Sequence, residues 1–381
     1  MQEWALAPVL ILLIYLRKSY SDPRDFIGSA LFSSRSETIR TAANTSLPSQ
    51  KMMEMHTWSS VPWTVESDGE VSIWHKHKVP YTSNANSLQN IDIWIPAAGK
   101  AVQEAPKDSD LPVQEGLWVI YIHGGAWRDP LVTSSSFAPT VKELASTHPS
   151  FFSKVAGIAS INYSLSPHPH HPSDPAPPKD PNQPLDPSRQ AKHPDHIVDI
   201  LTGLSYLQSK AGFGSNYVLL GHSCGATLAL QVAMSHSKWG PKATALGVPK
   251  PKAIIGLNGL YDMPKLIREP GEKHAGLKSV YEAFTRLAFG DDEKVWQTIS
   301  PISVGDWKAE WEDASKVVLV QSKEDSLVPY WQLEDMQKKL LGSKAEAVEI
   351  RELEASGDHN ELWQRGDRLA EIVVEVAKSL Y

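Results

Sequence analysis

Gly221-His222-Ser223-Cys224-Gly225 sets a hydroxyl between two glycines. The apolar run Tyr217–Leu220 enters this stretch and the helical run Ala226–Ala233 leaves it. A serine at the apex of a strand, tight turn and helix is a nucleophile elbow. The glycines have a mechanical reason: a Cβ at Gly221 or Gly225 would collide with the neighbouring strand or helix. The helix N-terminus behind Ser223 favours developing negative charge. A serine hydroxyl is a weak nucleophile at neutral pH, so it needs a base, and the base needs an orienting carboxylate.

Those partners are expected in the order serine, acid, histidine. The loop after the apolar run Val317–Val320 offers Glu324 and Asp325. Asp325 is the expected acid, because Leu327-Val328-Pro329 resembles the turn after the acid in related hydrolases. Glu324 is expected to be a solvated loop charge. Ser356-Gly357-Asp358-His359-Asn360 supplies His359 as base, the only histidine beyond His274. His274 is the structural alternative, and Asp358 is expected to cap the terminal helix. The tetrahedral intermediate of acyl transfer needs backbone donors aimed at its oxyanion. His123-Gly124-Gly125 directly follows the apolar run Leu117–Ile122, about a hundred residues before the elbow. The N–H groups of Gly124, Gly125 and Cys224 are the expected oxyanion hole. His123 is expected to hold this loop rather than move protons. Cys224 reads as a small buried residue whose N–H matters more than its thiol.

These loops need elements to position them. Val71–Trp74 and Ile91–Pro96 alternate and predict antiparallel strands. Leu117–Ile122, Val155–Tyr163, Tyr217–Leu220, Ala253–Leu257, Val317–Gln321 and Ala347–Ile350 predict strands, the apolar ones buried. Helices are predicted over 137–146, 195–208, 226–233, 330–341 and 361–380. The alternation implies a mostly parallel sheet with helices on both faces. The helical stretch 261–297 interrupts it and is expected to form a small cap. Residues 167–194 hold ten prolines, which exclude a helix or central strand and predict a semi-rigid surface loop. Its histidines (His168, His170, His171, His193) lack a fixed helix or hairpin spacing, so they are not expected to bind a metal.

The chain has 381 residues and a net charge of −7. It shows no basic face for nucleic acid. One cysteine excludes an intrachain disulfide and fits a reducing, cytoplasmic setting. Residues 1–55 read as an extension to a hydrolase domain over 56–381. Three readings stay open for it: a targeting segment, a membrane contact through Trp4–Leu16 (which is short for a span), and a disordered or wrongly started extension. The oligomeric state is left open, a homodimer among the options.

His123-Gly124-Gly125-Ala126-Trp127, Asn162–Pro167, His193-Pro194-Asp195-His196, Gly221–Thr227 and Gly357–Trp363 together resemble the HGGxW-type α/β-hydrolases. More narrowly they resemble the fungal kynurenine formamidase (arylformamidase) family, over roughly residues 58–381. The resemblance implies an α/β-hydrolase fold and hydrolysis of N-formyl-L-kynurenine, a small-molecule substrate, with no metal or cofactor. It makes His123, Ala126 and Trp127 motif residues. Trp127 reads either as a wall for the aryl ring or formyl group, or as packing. The alternative activity is that of a broad carboxylesterase of the hormone-sensitive-lipase-like group.

Overall fold

Apolar runs long enough to be buried on both faces dictate the centre of the molecule. The computed structural model describes residues 58–68, 71–97, 106–107, 111, 116–343 and 349–380. The expectations for residues 1–55 lie outside the described residues. In chain order the strands are β1 (Thr64–Asp68), β2 (Val71–Pro80), β3 (Asn90–Ala97), β4 (Leu117–Ile122), β5 (Val155–Ile161), β6 (Tyr217–His222), β7 (Ala253–Leu257), β8 (Lys316–Ser322) and β9 (Glu349–Ala355). The principal helices are α1 (Ala138–Thr147), α2 (Asp195–Ala211), α3 (Cys224–Ala233), α4 (Met263–Arg268), α5 (Lys278–Phe289), α6 (Glu293–Ile299), α7 (Trp331–Gly342), α8 (Glu361–Arg365) and α9 (Asp367–Lys378).

The strands form one sheet in the order β1-β2-β3-β5-β4-β6-β7-β8-β9. The first three strands are antiparallel, and β3 meets β5 antiparallel. From β5 onward every pairing is parallel. This is the mostly parallel sheet that the sequence predicts. Alternate residues of β4 and β6 feed two cores. Ile120, Ile122 and Leu219 pack with Leu204 of α2 and Leu230 of α3. Val119, Tyr121 and Leu220 pack on the other face with Val141 of α1 and Ile372 of α9. Each such fully buried aliphatic side chain contributes roughly 1.5–3 kcal/mol. Among the described residues, no helix is long and apolar enough to cross a membrane.

Several elements depart from expectation. The sequence reading missed β1. It also ended β2 at Trp74, six residues early, because His75-Lys76-His77-Lys78 reads as polar. Lys76 is nevertheless buried, its ammonium donating to the carbonyls of Trp58 and Val61 and lying 4.9 Å from the Trp58 ring. Strand β9 continues through Ala355. Among the described residues it pairs only with β8, and an edge strand can carry charge without burying it. The terminal helix is two helices, broken at Gly366 with φ 79°. A Cβ there would lie 2.6 Å from the Pro139 carbonyl carbon. The proline-rich stretch is tied to the body rather than lying loose on it. His168 bridges Ala176, Arg189 is buried and paired with Asp174 at 2.8 Å, and Leu165 and Ser188 share a backbone hydrogen bond.

Candidate active site

Ser223 follows β6 and precedes α3 with φ 55° and ψ −122°, a conformation that costs about 1–3 kcal/mol for a residue with a side chain. The turn is held from below, since Ser223 N–H donates to Leu257 O at 2.8 Å. The two flanking glycines are required by close approach. A Cβ on Gly221 would sit 2.1 Å from Gly225 O, and one on Gly225 would sit 2.3 Å from Ile122 O. Strand β4, the elbow and α3 therefore pack backbone against backbone. Ser223 Oγ makes no hydrogen bond within the described residues. A catalytic hydrogen bond is often formed only once substrate is bound.

His359 and Asp325 come together as their chain order suggests. His359 Nδ1–H donates to Asp325 Oδ2 at 2.8 Å, and both residues are buried. This bond fixes the imidazole tautomer and leaves Nε2 without a protein partner. The other Asp325 oxygen accepts from the N–H groups of Leu327 and Val328, each at 2.8 Å. Burial alone would raise the Asp325 pKa. The His359 charge and hydrogen bond, with the two N–H donors, outweigh it and hold the carboxyl below its ordinary range. His274 lies against the Asp325 backbone, with Nε2 donating to its carbonyl at 3.2 Å.

Two expectations about neighbouring acids are corrected. Asp358 does not cap α8, whose N-cap residue Asn360 makes no side-chain cap. Its Oδ1 accepts from His359 N–H, Ser326 N–H and Ser326 Oγ–H. Glu324 is not merely solvated, for it accepts from Gly357 N–H at 2.8 Å. With Ser322 Oγ–H donating to Gly357 O, these bonds stitch the histidine loop to the acid loop. Both acids follow parallel neighbours β8 and β9, so the loops emerge side by side.

The Gly124 Cα lies close to the elbow, since a Cβ there would be 3.1 Å from Ser223 Cβ. Among the described residues, the N–H groups of Gly124, Gly125 and Cys224 donate to no carbonyl. Gly125, Ala126 and Trp127 all have positive φ (94°, 50° and 58°), and this tight turn closes through Arg128 N–H and Asp129 N–H on Gly125 O. The Cys224 thiol has a use that its sequence context hid. Its Sγ accepts from Trp127 N–H at 3.3 Å, and burial pushes its pKa up to about 11, so it stays a thiol. His123 is stacked on Tyr163 at 4.5 Å and bonded through Nδ1 to Gly124 O. Burial drops its pKa to about 4, leaving it neutral.

Sequence reasoning missed three supports. Tyr163 Oη–H reaches both His123 O and Gly124 O at 3.1 and 3.2 Å. Asn258 Nδ2 donates to His359 O, and its Oδ1 accepts from Ser322 N–H. His222 Nε2–H donates to His359 O at 2.9 Å. The available signal was a polar group at or just past the end of an apolar strand: His222 ends β6, Asn258 follows β7 and Tyr163 lies two residues after β5. Trp127 is fully buried, its ring 4.9 Å from Phe289 and 5.9 Å from Phe284 of α5, so it packs the loop onto the helices between β7 and β8. Arg128 is half-buried with its guanidinium 5.7 Å from the Phe284 ring, and it has no ion pair among the described residues. Of the proline-rich histidines, His168 and His171 are buried and His170 is exposed; His171 Nδ1 accepts from Asp174 N–H, and the His193 ring lies 5.5 Å from Trp239.

The chain as a whole is similar to known hydrolases. A profile of the BD-FAE family matches residues 186–340. The kynurenine formamidase-like hydrolase fscH of Fusarium equiseti is 38% identical over 304 residues, covering 78% of this chain and 93% of that protein. The kynurenine formamidase avaC of Aspergillus versicolor is 30% identical over 261 residues, covering 65% of this chain and 84% of its own. Among solved structures, esterase B of Lactobacillus rhamnosis superposes with a TM-score of 0.55 at 16% identity, over 81% of this chain and 86% of its own. That likeness shows the α/β-hydrolase fold, and the sequence relatives show the family. The chain is an α/β-hydrolase that belongs to the kynurenine formamidase family.

Proposed function

We propose that this protein hydrolyses N-formyl-L-kynurenine to L-kynurenine and formate, the second step of tryptophan breakdown toward NAD. The observation that carries the substrate is the similarity to a kynurenine formamidase-like hydrolase over 78% of this chain and to a protein named kynurenine formamidase over 65% of it. The reaction type is supported by a serine on a strained turn beside a bonded imidazole–carboxylate pair.

Ser223 Oγ attacks the formyl carbon as His359 Nε2 takes its proton. The new oxyanion is met by the free N–H groups of Gly124, Gly125 and Cys224. Asp325 stabilises the imidazolium through Nδ1. His359 then protonates the departing aromatic amine, and water attacks the formyl ester to release formate and restore Ser223. The formyl group is small, so the leaving side must supply most of the recognition. Arg128, a cation with no ion pair among the described residues, follows the oxyanion loop and is assigned to the substrate carboxylate.

The test is kynurenine release by purified protein, compared with hydrolysis of a short aryl ester. Ser223→Ala should lose at least about 10³-fold in kcat. Turnover of the ester with a hundredfold higher kcat/KM would instead favour a broad carboxylesterase. Retained activity in Ser223→Ala would place the chemistry elsewhere.

A further inference from the structure

We propose that His75, His77 and Asp92 form a binding site for a divalent transition-metal ion of the zinc type, on the antiparallel edge of the sheet and outside the machinery described above. One ligand atom from each residue lies within 4.8 Å of the other two. His75 and His77 are two apart on β2, so a strand's alternation puts them on one face. Asp92 comes from β3. The β2–β3 register breaks between Lys76 and Val79, and Lys78 there has φ 51°. Such a bulge re-aims a side chain, and here it brings His77 Nδ1 to 2.6 Å from Asp92 Oδ1.

The surroundings are those of a ligand set rather than of a chance contact. His75 Nδ1–H donates to Glu66 Oε1 at 2.8 Å, which leaves Nε2 as the lone-pair nitrogen. That nitrogen is buried without a hydrogen-bond partner, 3.6 Å from Asp92 Oδ1. The ring is held flat against Trp94 at 4.7 Å. A carboxylate on the far nitrogen of a ligating histidine fixes tautomer and orientation and raises ligand basicity. Asp92 is 1% exposed and is itself fixed, accepting from Lys78 N–H through Oδ1 at 2.9 Å and from Ser134 Oγ–H through Oδ2. Two imidazoles and a carboxylate suit zinc and its first-row neighbours, with water completing a tetrahedron. Zinc–ligand bonds of about 2.0–2.2 Å require His77 to draw back from Asp92 by less than about 1 Å. Its side chain is 54% exposed, so that movement is open to it. The ion would tie β1, β2 and β3 together at Glu66, the two histidines and Asp92.

The test uses the full chain, stripped with a chelator and titrated with zinc chloride by calorimetry, with cobalt(II) absorption as a second readout. One zinc per chain is expected, with a rise in Tm. His75→Ala/His77→Ala should lose that binding at least a hundredfold. Glu66→Gln, a change at an exposed residue that the fold tolerates, should weaken it about 10–100-fold. Wild-type binding no stronger than that of the double variant would overturn the proposal. If the double variant fails to fold, unchanged zinc affinity in Glu66→Gln overturns it equally.

Discussion

Arg128 is the residue whose role is most open to direct test. A half-buried cation with no ion pair among the described residues can be completed by a charged ligand, and burial has already lowered its pKa to about 10, partly offset by the nearby Asp129 charge. A hydrogen bond to a charged group contributes about 1.5–3 kcal/mol. Arg128→Met should therefore raise KM for N-formylkynurenine roughly 10–100-fold and leave kcat within about threefold. Formanilide, which has no carboxylate, should show no such change. An equal loss on both substrates would mean that Arg128 supports the loop instead. The sequence offered Ser223, Asp325 and His359 as candidates because each follows a strand in a fixed chain order. It could not show Arg128 as unpaired, because a missing partner is a fact about three dimensions. Nor could it show Tyr163 or Asn258, whose bonds reach back 39 residues and forward 101. Cys224 was read for its N–H, yet its sulfur also accepts the Trp127 N–H, a contact 97 residues away in the chain.

Loops in this molecule are aligned by the strands they follow. The acid loop leaves β8 and the histidine loop leaves β9, its parallel neighbour, and Asp358 joins them by accepting three hydrogen bonds. Removing that carboxylate leaves Ser326 N–H and His359 N–H without an acceptor, at about 1–3 kcal/mol. Asp358→Ala should lower Tm by several degrees and kcat about tenfold, with KM little changed. A kcat equal to wild type would show that the His359–Asp325 bond holds the loop unaided. The apolar strands β4 to β8 were legible because burial on both faces writes continuous apolar runs. Strand β2 was cut short because its second half uses a buried Lys76, paired with carbonyls, where a pattern reading expects an apolar residue. The α8–α9 break at Gly366 was hidden within an uninterrupted helical period, since only the approach of Pro139 requires it.

The described residues include several buried histidines held neutral, and this sets the response to acid. Burial lowers His123 and His193 to about 4 and His168, His196 and His222 to about 3, and it lowers His236 and His274 as well. Unfolded, each would titrate near 6.5. Below that pH the unfolded chain takes up protons that the folded chain refuses, so stability falls as pH falls. The loss begins near pH 6.5 and continues toward the folded values. Asp325 acts in the same direction at lower pH, because its folded pKa is depressed. His75 opposes them. Burial would lower it, yet the neighbouring carboxylates of Asp92 and Glu66 raise it, so its contribution is present in acid and is lost as pH rises through its folded pKa. Seven histidines against one leave a net loss, each proton being worth about 1.4 kcal/mol per pH unit. Tm should be flat from pH 8 to 7 and drop by about 10 °C by pH 5. A Tm unchanged through pH 5 would mean that these histidines gain protons without unfolding, and that the packing around His222 and the Gly124 turn is looser than the buried rings imply.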